Sequence, residues 1–468
     1  MIPGVDRPNI LFLMSDQHRA DVAGFAGDAV VRTPTLDRLA CESAVFTSAY
    51  TPSPICVPAR QCLMAGQLPR TCGVERFGQD LPPFSMTFAK RLAQFGYTTA
   101  CVGKLHHMGP EQMQGWTHRI APDAEVSRAH YEPIDDTAYP EEGGTGKWTN
   151  QKEVLRAGVG DGPYQRFDER ARAATLDFIR DHWVDPFYDR PAGARPTLLK
   201  VSLLQPHYPF FADADKFEYY LPRVVPYADE AVWDHPSLGR TQHGPNVQAS
   251  PRELRRATAA YYAMVEKVDT IFGDVLAGLE RAGHDLDDWW IVYTSDHGEM
   301  LGEHGLWEKS RFFEGSVKVP LLIRPPRALR EAWGWGGGGR AVDANVSLID
   351  LFATLCEAGG AALPAKSETV SGAGLDGRSL VPLMSGEAAG IAGGENEAVS
   401  QFGGTDLMIR RGDLKYLFFA SDSPTGGPEV LIDLGSDPGE LRNAIDEPRH
   451  ADAVMDFRER RGALGFGG

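Results

Sequence analysis

A chain of 468 residues, 42% hydrophobic and 24% charged, has the composition of a folded globular protein and is long enough for two or three domains. Its formal net charge of −17 opposes binding to nucleic acid and to anionic membrane surfaces, so we expect neither as a partner. No segment of the sequence approaches the roughly 20 apolar residues of a membrane-spanning helix.

The N-terminal residues and the cysteines indicate the cellular compartment. The first apolar run, Ile10 to Met14, is too short for a signal peptide, and no small-residue cleavage site follows it. The six cysteines lack the close, regular spacing of a disulfide framework or a zinc cluster. We therefore expect a cytoplasmic protein with reduced thiols.

Five short apolar runs predict the strands of a sheet. They are continuous rather than alternating, which suits parallel strands that are buried on both faces. In chain order they are residues 9–14, 99–102, 198–204, 290–294 and 320–323. Helical patterns lie between them, one at 175–183 and a longer one that starts after Ser250-Pro251 and stops at Gly283. This alternation predicts an α/β sandwich with a large, mainly parallel central sheet flanked by helices.

The composition changes toward the C-terminal end. Residues 384–395, rich in glycine and alanine, predict a linker. Residues 406–419 and 429–434 then have the pattern of antiparallel strands, and a polar helix is expected near 451–461. We therefore expect a large α/β domain at residues 1–385 and a small α+β domain with an antiparallel sheet at residues 386–468.

Polar side chains follow two of the predicted strands at the point where each ends. Asp16 follows the first strand, and Asp296 and His297 follow the fourth. Because ligands bind at the carboxyl ends of strands in open α/β sheets, these side chains are predicted to meet around a divalent metal. Carboxylates suit Ca²⁺, Mg²⁺ or Mn²⁺, and the histidine tilts the preference toward a transition metal. The alternative is that each aspartate only caps the turn or helix after its strand.

One cysteine is predicted to lie at the start of a helix. Pro58 suits the first turn of that helix and Gly66 suits its end, which places Cys56 at or just before the N-terminus. Backbone N–H groups at such a position stabilise an anion or a thiolate, and Arg60, one turn further on, can reach back to the same point. Cys56 is therefore a candidate nucleophile, with a buried structural cysteine as the alternative.

The segment Cys56 to Arg60 resembles the C-x-P-x-R signature of the formylglycine-dependent sulfatases, in the alkaline phosphatase superfamily. Other blocks resemble this family in the same order along nearly the whole chain. They are Arg7 to Asp16, Thr33 to Ala40, Gly96 to His106, Gln205 to Pro209, Thr294 to Gly305 and Leu431 to Glu440. The resemblance implies a sulfuric ester hydrolase.

The resemblance also implies a covalent mechanism at Cys56. That residue matches the cysteine that a maturation enzyme oxidises to formylglycine, which then hydrates to a geminal diol. One hydroxyl attacks sulfur, the ester alcohol leaves, and the other hydroxyl expels sulfate as the aldehyde forms again. The implied partners are a small anionic sulfate ester and the formylglycine-generating enzyme, and we also expect a homo-oligomer.

The other implied site residues are expected to surround Cys56. The implied metal ligands are Asp16, Cys56, Asp296 and His297. The metal expected first is Ca²⁺, with Mn²⁺ or Mg²⁺ as alternatives. The residues that match cationic contacts to the sulfuryl group are Arg60, Lys104 and Lys309. The histidines that match those orienting the diol or protonating the leaving oxygen are His106 and His207.

Two departures from the family pattern leave the substrate open. Many members carry two consecutive acidic residues where this chain has Asp16-Gln17, and an asparagine where it has His297. This combination is similar to choline sulfatases and to phosphonate monoester hydrolases. The competing hypotheses are therefore a phosphonate monoester or phosphodiester hydrolase with the same site, and a non-catalytic anion-binding protein. His107 and His304 are expected to be orienting or structural residues rather than ligands.

Overall fold

The structure is a computed structural model that describes residues 7–123, 150–184, 195–227, 235, 247, 249–387, 396–420 and 427–467. The strands are β1 (Ile10–Asp16), β2 (Ala44–Phe46), β3 (Ala49–Tyr50), β4 (Thr98–Gly103), β5 (His118–Ile120), β6 (Gly158–Val159), β7 (Thr197–Pro206), β8 (Phe211–Ala212), β9 (Trp290–Ser295), β10 (Leu321–Arg324), β11 (Arg340–Val342), β12 (Val346–Ser347), β13 (Glu397–Phe402), β14 (Asp406–Arg411), β15 (Leu414–Phe418) and β16 (Glu429–Asp433). The α-helices are Pro34–Ala40, Cys56–Ala65, Pro69–Cys72, Phe88–Gln94, Asn150–Arg156, Pro163–Ile179, Ala214–Tyr220, Pro251–Arg281, Glu314–Val317, Arg327–Ala332, Asp350–Ala358, Val381–Ser385 and Ala451–Ala463.

Eight strands form the central sheet in the order β11-β2-β10-β9-β1-β7-β4-β5. β1 lies in the middle and pairs in parallel with both β7 and β9. All residues of β1, β7 and β9 are buried, as expected for strands with helices on both faces. The predicted α/β sandwich with a large, mainly parallel sheet is therefore confirmed.

The alternation of side chains along β1 explains how two helical layers cover this sheet. Leu11 and Leu13 pack with residues of the helix Pro251–Arg281 on one face. Phe12 and Met14 pack on the other face, with residues of the helix Cys56–Ala65. The helix that carries the candidate nucleophile is thus fixed directly against the strand that carries Asp16.

The structure differs from the sequence prediction at two elements. Residues 320–323 were expected among the parallel strands, but β10 runs antiparallel to both β9 and β2. A loop from β9 returns the chain to the neighbouring position, and such a connection needs no crossover helix. The helix expected at 175–183 begins at Pro163, because Phe167, Ala171 and Thr175 extend its buried face toward the N-terminus.

The C-terminal part contains the predicted antiparallel sheet. Strands β13 to β16 pair in sequential order, and the helix Ala451–Ala463 follows them. Val399 and Leu407 of this sheet belong to the same buried cluster as Phe352 of the large sheet's helical layer. Most of the predicted linker 384–395 lies outside the described residues, and the division at residue 385 stays a prediction. Within the described part of the chain, each helix is too short or too polar to cross a membrane.

Candidate active site

The helix Cys56–Ala65 begins at the candidate nucleophile and ends at Gly66, whose φ of 66° is the left-handed conformation that glycine favours. Every residue of this helix is buried, and Cys56 is 3% exposed. Burial and the Asp16 charge raise the pKa of the Cys56 thiol, but Lys309, Lys104 and His297 outweigh them and hold it below its usual value. The cysteine therefore lies in an electropositive setting rather than in an apolar core.

Four side chains converge at the carboxyl ends of β1 and β9. Asp16, Cys56, Asp296 and His297 are all buried, and one donor atom from each lies within 4.8 Å of the others. His297 Nε2 is 3.0 Å from Cys56 Sγ, 3.7 Å from Asp296 Oδ1 and 3.8 Å from Asp16 Oδ1. The structure thus brings together all four side chains that the sequence predicted as metal ligands.

The orientation of these donors fits a divalent metal ion. Each aspartate turns Oδ1 toward His297 Nε2 and uses Oδ2 to pair with a neighbouring cation. His297 Nδ1 contacts the Gly298 carbonyl oxygen at 3.0 Å, which leaves Nε2 as the acceptor that faces the cluster. Two carboxylate oxygens, an imidazole nitrogen and the residue-56 donor form a ligand set suited to such an ion.

Arg60 pairs with both aspartates of this cluster. Its Nε donates to Asp296 Oδ2 at 2.7 Å, and its Nη2 donates to Asp16 Oδ2 at 3.1 Å. Its Nη1 donates to Ser202 Oγ at 2.9 Å, and the side chain is 1% exposed. The structure therefore pairs Arg60 with both carboxylates of the cluster, and the contact to the sulfuryl group that the family resemblance implied stays a prediction.

Lys104 and Lys309 approach the cluster from two directions. Lys104 Nζ forms an ion pair with Asp16 Oδ2. Burial would raise the pKa of Asp16, but the Lys104 charge, with His207 and Arg60, holds it well below its usual value. Lys309 Nζ donates to Gln17 Oε1 and to His207 Nε2, each at 2.6 Å.

The two predicted catalytic histidines both have a lowered pKa. Burial and a nearby lysine, Lys309 for His207 and Lys104 for His106, hold each pKa well below its usual value. His207 Nδ1 contacts the Tyr208 carbonyl oxygen at 2.6 Å, so Nε2 is the acceptor toward Lys309. His106 Nδ1 is buried with no hydrogen-bond partner among the described residues, which leaves it able to bond a ligand.

The other two histidines that the sequence singled out lie outside the metal-ligand cluster. His107 Nδ1 is 3.1 Å from Asp80 Oδ1 and 2.9 Å from Gln61 Nε2. The His304 ring stacks on Phe313 with the centroids 4.3 Å apart. Both contacts agree with the structural or orienting role expected for these residues.

Three residues of the site were not predicted from the sequence. The Tyr208 ring lies 4.9 Å from Lys309 Nζ, and the Tyr164 ring packs edge-on against His207 at 5.6 Å. Glu308 has a φ of 70°, a strained conformation for a residue with a side chain, and is 7% exposed. Tyr208 and Glu308 each adjoin a predicted residue in the sequence, which was the available signal, whereas nothing in the sequence pointed to Tyr164.

Glu308 should make the protein less stable as the pH rises. Burial raises the pKa of Glu308 to about 8, despite the neighbouring Lys309. The folded protein therefore keeps a proton on Glu308 that the unfolded chain loses near the ordinary pKa of about 4.3. The free energy of unfolding therefore falls as the pH rises from about 4.3 to about 8. Relative to the wild type, the free energy of unfolding of Glu308→Gln is expected to be about 2 kcal/mol higher at pH 8 than at pH 6, measured by urea unfolding. Glu331→Gln is the exposed control, and an equal difference at both pH values would mean that Glu308 does not change its ionisation between pH 6 and pH 8.

Comparisons with known proteins extend over nearly the whole chain. A family model described as "Sulfatase" matches residues 8–361. The choline-sulfatase of Rhizobium meliloti (strain 1021) is 32% identical over 471 residues, which cover 98% of this chain and 86% of that protein. The arylsulfatase of Clostridium perfringens (strain 13 / Type A) is 26% identical over 476 residues, covering 97% and 93%. The crystal structure of the phosphonate monoester hydrolase of Agrobacterium radiobacter has a TM-score of 0.72 and 25% identity, covering 98% of this chain and 95% of that one.

Proposed function

The chain belongs to the sulfatase family of sulfuric ester hydrolases, and we propose that it cleaves sulfate esters at residue 56 after Cys56 has been oxidised to formylglycine. The products are inorganic sulfate and an alcohol. One observation carries the proposal: Cys56 Sγ lies 3.0 Å from His297 Nε2 at the helix start, inside the four-residue cluster. A structural cysteine is expected in apolar surroundings, whereas two aspartates, a histidine and two lysines lie near Cys56.

We assign one divalent metal ion to Asp16, Asp296, His297 and residue 56. Such an ion lowers the pKa of a bound hydroxyl and neutralises negative charge on the oxygens of the sulfuryl group. Ca²⁺ is the ion expected first. The His297 nitrogen supports Mn²⁺ as one alternative, and the carboxylate oxygens keep Mg²⁺ as another. Arg60 holds both carboxylates in place through its bonds to their Oδ2 atoms.

The remaining charged residues bind the ester and move protons. Lys104, which pairs with Asp16, and Lys309, which contacts Gln17 and His207, provide the cationic contacts to the sulfuryl oxygens. Lys309 Nζ donates to His207 Nε2, so the proton held between these two atoms is the one that the pair can deliver to the leaving oxygen. His106 Nδ1 has no hydrogen-bond partner among the described residues and is assigned to orient the nucleophile. Formylglycine at residue 56 would supply a geminal diol, with one hydroxyl for attack on sulfur as the ester alcohol leaves and a second hydroxyl for the release of sulfate.

The substrate class is a small anionic sulfate ester. The choline-sulfatase relative, 32% identical over 98% of the chain, supports this choice. A second candidate is hydrolysis of phosphonate monoesters or phosphodiesters in the same site, supported by the likeness to the phosphonate monoester hydrolase. Sulfate and phosphate ester anions share shape and charge, so one pocket can accept both. The cytoplasmic location, the maturation enzyme and the homo-oligomer stay predictions from the sequence.

The two candidate functions are separated by substrates that share one leaving group. The purified protein is assayed on an aryl sulfate, an aryl phosphonate monoester and an aryl phosphodiester. We expect kcat/KM to be highest for the sulfate, by about tenfold or more, because the site is matched to the transition state of one transfer reaction. The sulfatase assignment is lost if the sulfate gives the lowest value of the three.

A further inference from the structure

Residues 306–317, which include Lys309, are held by the C-terminal sheet. We propose that Lys415 of β15 and Glu440, in the loop after β16, are positioning residues for this segment. They would fix it, and hence Lys309, against the start of the helix Cys56–Ala65, the nucleophile helix. The proposal rests on the proposed function for the role of Lys309. It also assigns a positioning role to Glu440, the last residue of the sequence block Leu431 to Glu440 that resembles the family.

Lys415 makes its contacts where the C-terminal sheet meets the large sheet's loops. The side chain is 0% exposed, and its Nζ donates to the Phe312 carbonyl oxygen at 2.8 Å and to Glu314 Oε1 at 2.9 Å. Nζ also forms an ion pair with Glu440. Glu440 is 2% exposed and accepts a hydrogen bond from the Glu314 backbone N–H at 2.7 Å. These two side chains therefore hold both the main chain and a side chain of the segment.

The same segment is bonded to the chain that leads into the nucleophile helix. Ser310, next to Lys309, donates its N–H to the Pro54 carbonyl oxygen at 2.9 Å. Glu314 Oε2 accepts from the Tyr50 hydroxyl at 3.1 Å, which in turn accepts from Arg410 Nε of β14 at 3.0 Å. A shift of the segment at Phe312 or Glu314 would thus be felt both at Lys309 and just before Cys56.

The backbone conformation of this segment depends on contacts with other parts of the protein. Leu306 to Phe313 forms no helix or strand, and Glu308 and Ser310 have φ of 70° and 68°. Left-handed conformations are unfavourable for a residue with a side chain, and they persist where the surroundings over-determine them. Lys415 and Glu440 supply such a constraint from a rigid sheet. Their buried charges are therefore expected to serve geometry more than stability, because buried ion pairs add little net stability.

The test uses a double variant that removes both members of the buried ion pair. In Lys415→Met/Glu440→Gln, Glu314 keeps the Tyr50 hydroxyl as a hydrogen-bond donor. We expect kcat/KM on the substrate turned over by the wild type to fall by about 10- to 100-fold, as for a misplaced contact group. In a Lys309→Ala background the same double change should lower kcat/KM by a several-fold smaller factor, because the part of its effect that passes through Lys309 is already lost. Equal losses in both backgrounds would overturn the proposal.

A second measurement separates this proposal from the proposed function. Hydrogen–deuterium exchange needs no activity, and we expect peptides covering 306–317 to exchange about tenfold faster in the double variant. The matched control is Arg411→Met/Glu397→Gln, which breaks a 2.7 Å ion pair in the same sheet away from this segment. Exchange unchanged at 306–317 would overturn the positioning role even if the sulfatase assignment stands, and accelerated exchange in a protein without sulfatase activity would leave it standing. If the double variant fails to fold, Glu440→Gln alone should give the same pattern with a loss of about threefold to tenfold.

Discussion

Cys56→Ala is expected to lower kcat/KM for sulfate release by about four orders of magnitude or more, the scale seen when a covalent nucleophile is removed. The Cys56 side chain lies among Asp16, Asp296 and His297 at the first residue of the helix Cys56–Ala65. The fold should survive, because the change shortens only one small side chain of a buried helix. The rate is measured as inorganic sulfate released, with circular dichroism to check the fold.

The matched control for this change is Cys62→Ala on the same helix. Cys62 is 0% exposed and its Sγ lies 3.6 Å from that of Cys72, away from the charged cluster. It is expected to lose some stability and to keep its activity. A Cys56→Ala protein with more than about a tenth of the wild-type rate would place the nucleophile elsewhere.

The chemical state of residue 56 is open to direct measurement. Mass spectrometry of the peptide that contains it should show the thiol sulfur replaced by an aldehyde oxygen. An unmodified cysteine in an active protein would contradict the formylglycine proposal. An unmodified cysteine in an inactive protein that still binds sulfate would favour the anion-binding alternative.

The position of the site could be predicted from the sequence because it depends on short-range rules. Continuous apolar runs predicted buried parallel strands, and the polar residues at the carboxyl ends of β1 and β9 had to meet once those strands became neighbours. The start of the nucleophile helix followed in the same way from Pro58 and Gly66.

Contacts that depend on the packing of distant segments could not be predicted in this way. The direction of β10 depends on how the loop after Asp296 returns, and no local pattern encodes that. The ion pairs of Arg60 with both Asp16 and Asp296 could not be predicted, because they depend on where the two aspartates meet in three dimensions, and its contact to the sulfuryl group stays a prediction. Tyr164 enters the site from a helix remote in sequence, and its contact with His207 appears only in three dimensions.

Asp296→Ala is expected to abolish metal binding and to lower kcat/KM by at least about a thousandfold, with the fold retained. Asp296 contributes Oδ1 to the cluster, and its loss leaves too few donors for a tight site. Arg60 would keep Asp16 as a partner at 3.1 Å, so the buried guanidinium is not left unpaired. Metal content after dialysis, with the rate on the best substrate, is the measurement.

The control for this change is Asp269→Asn, another buried carboxylate, which accepts the N–H groups of Thr35 and Leu36 at 3.1 and 2.8 Å. It should keep both the metal and the activity. The comparison matters because charge alone does not demand a metal: Arg60 and Lys104 already pair with the Oδ2 atoms of Asp16 and Asp296. If Asp296→Ala kept its metal, these aspartates would serve to neutralise Arg60 and Lys104, and the ion would have to be held by other donors.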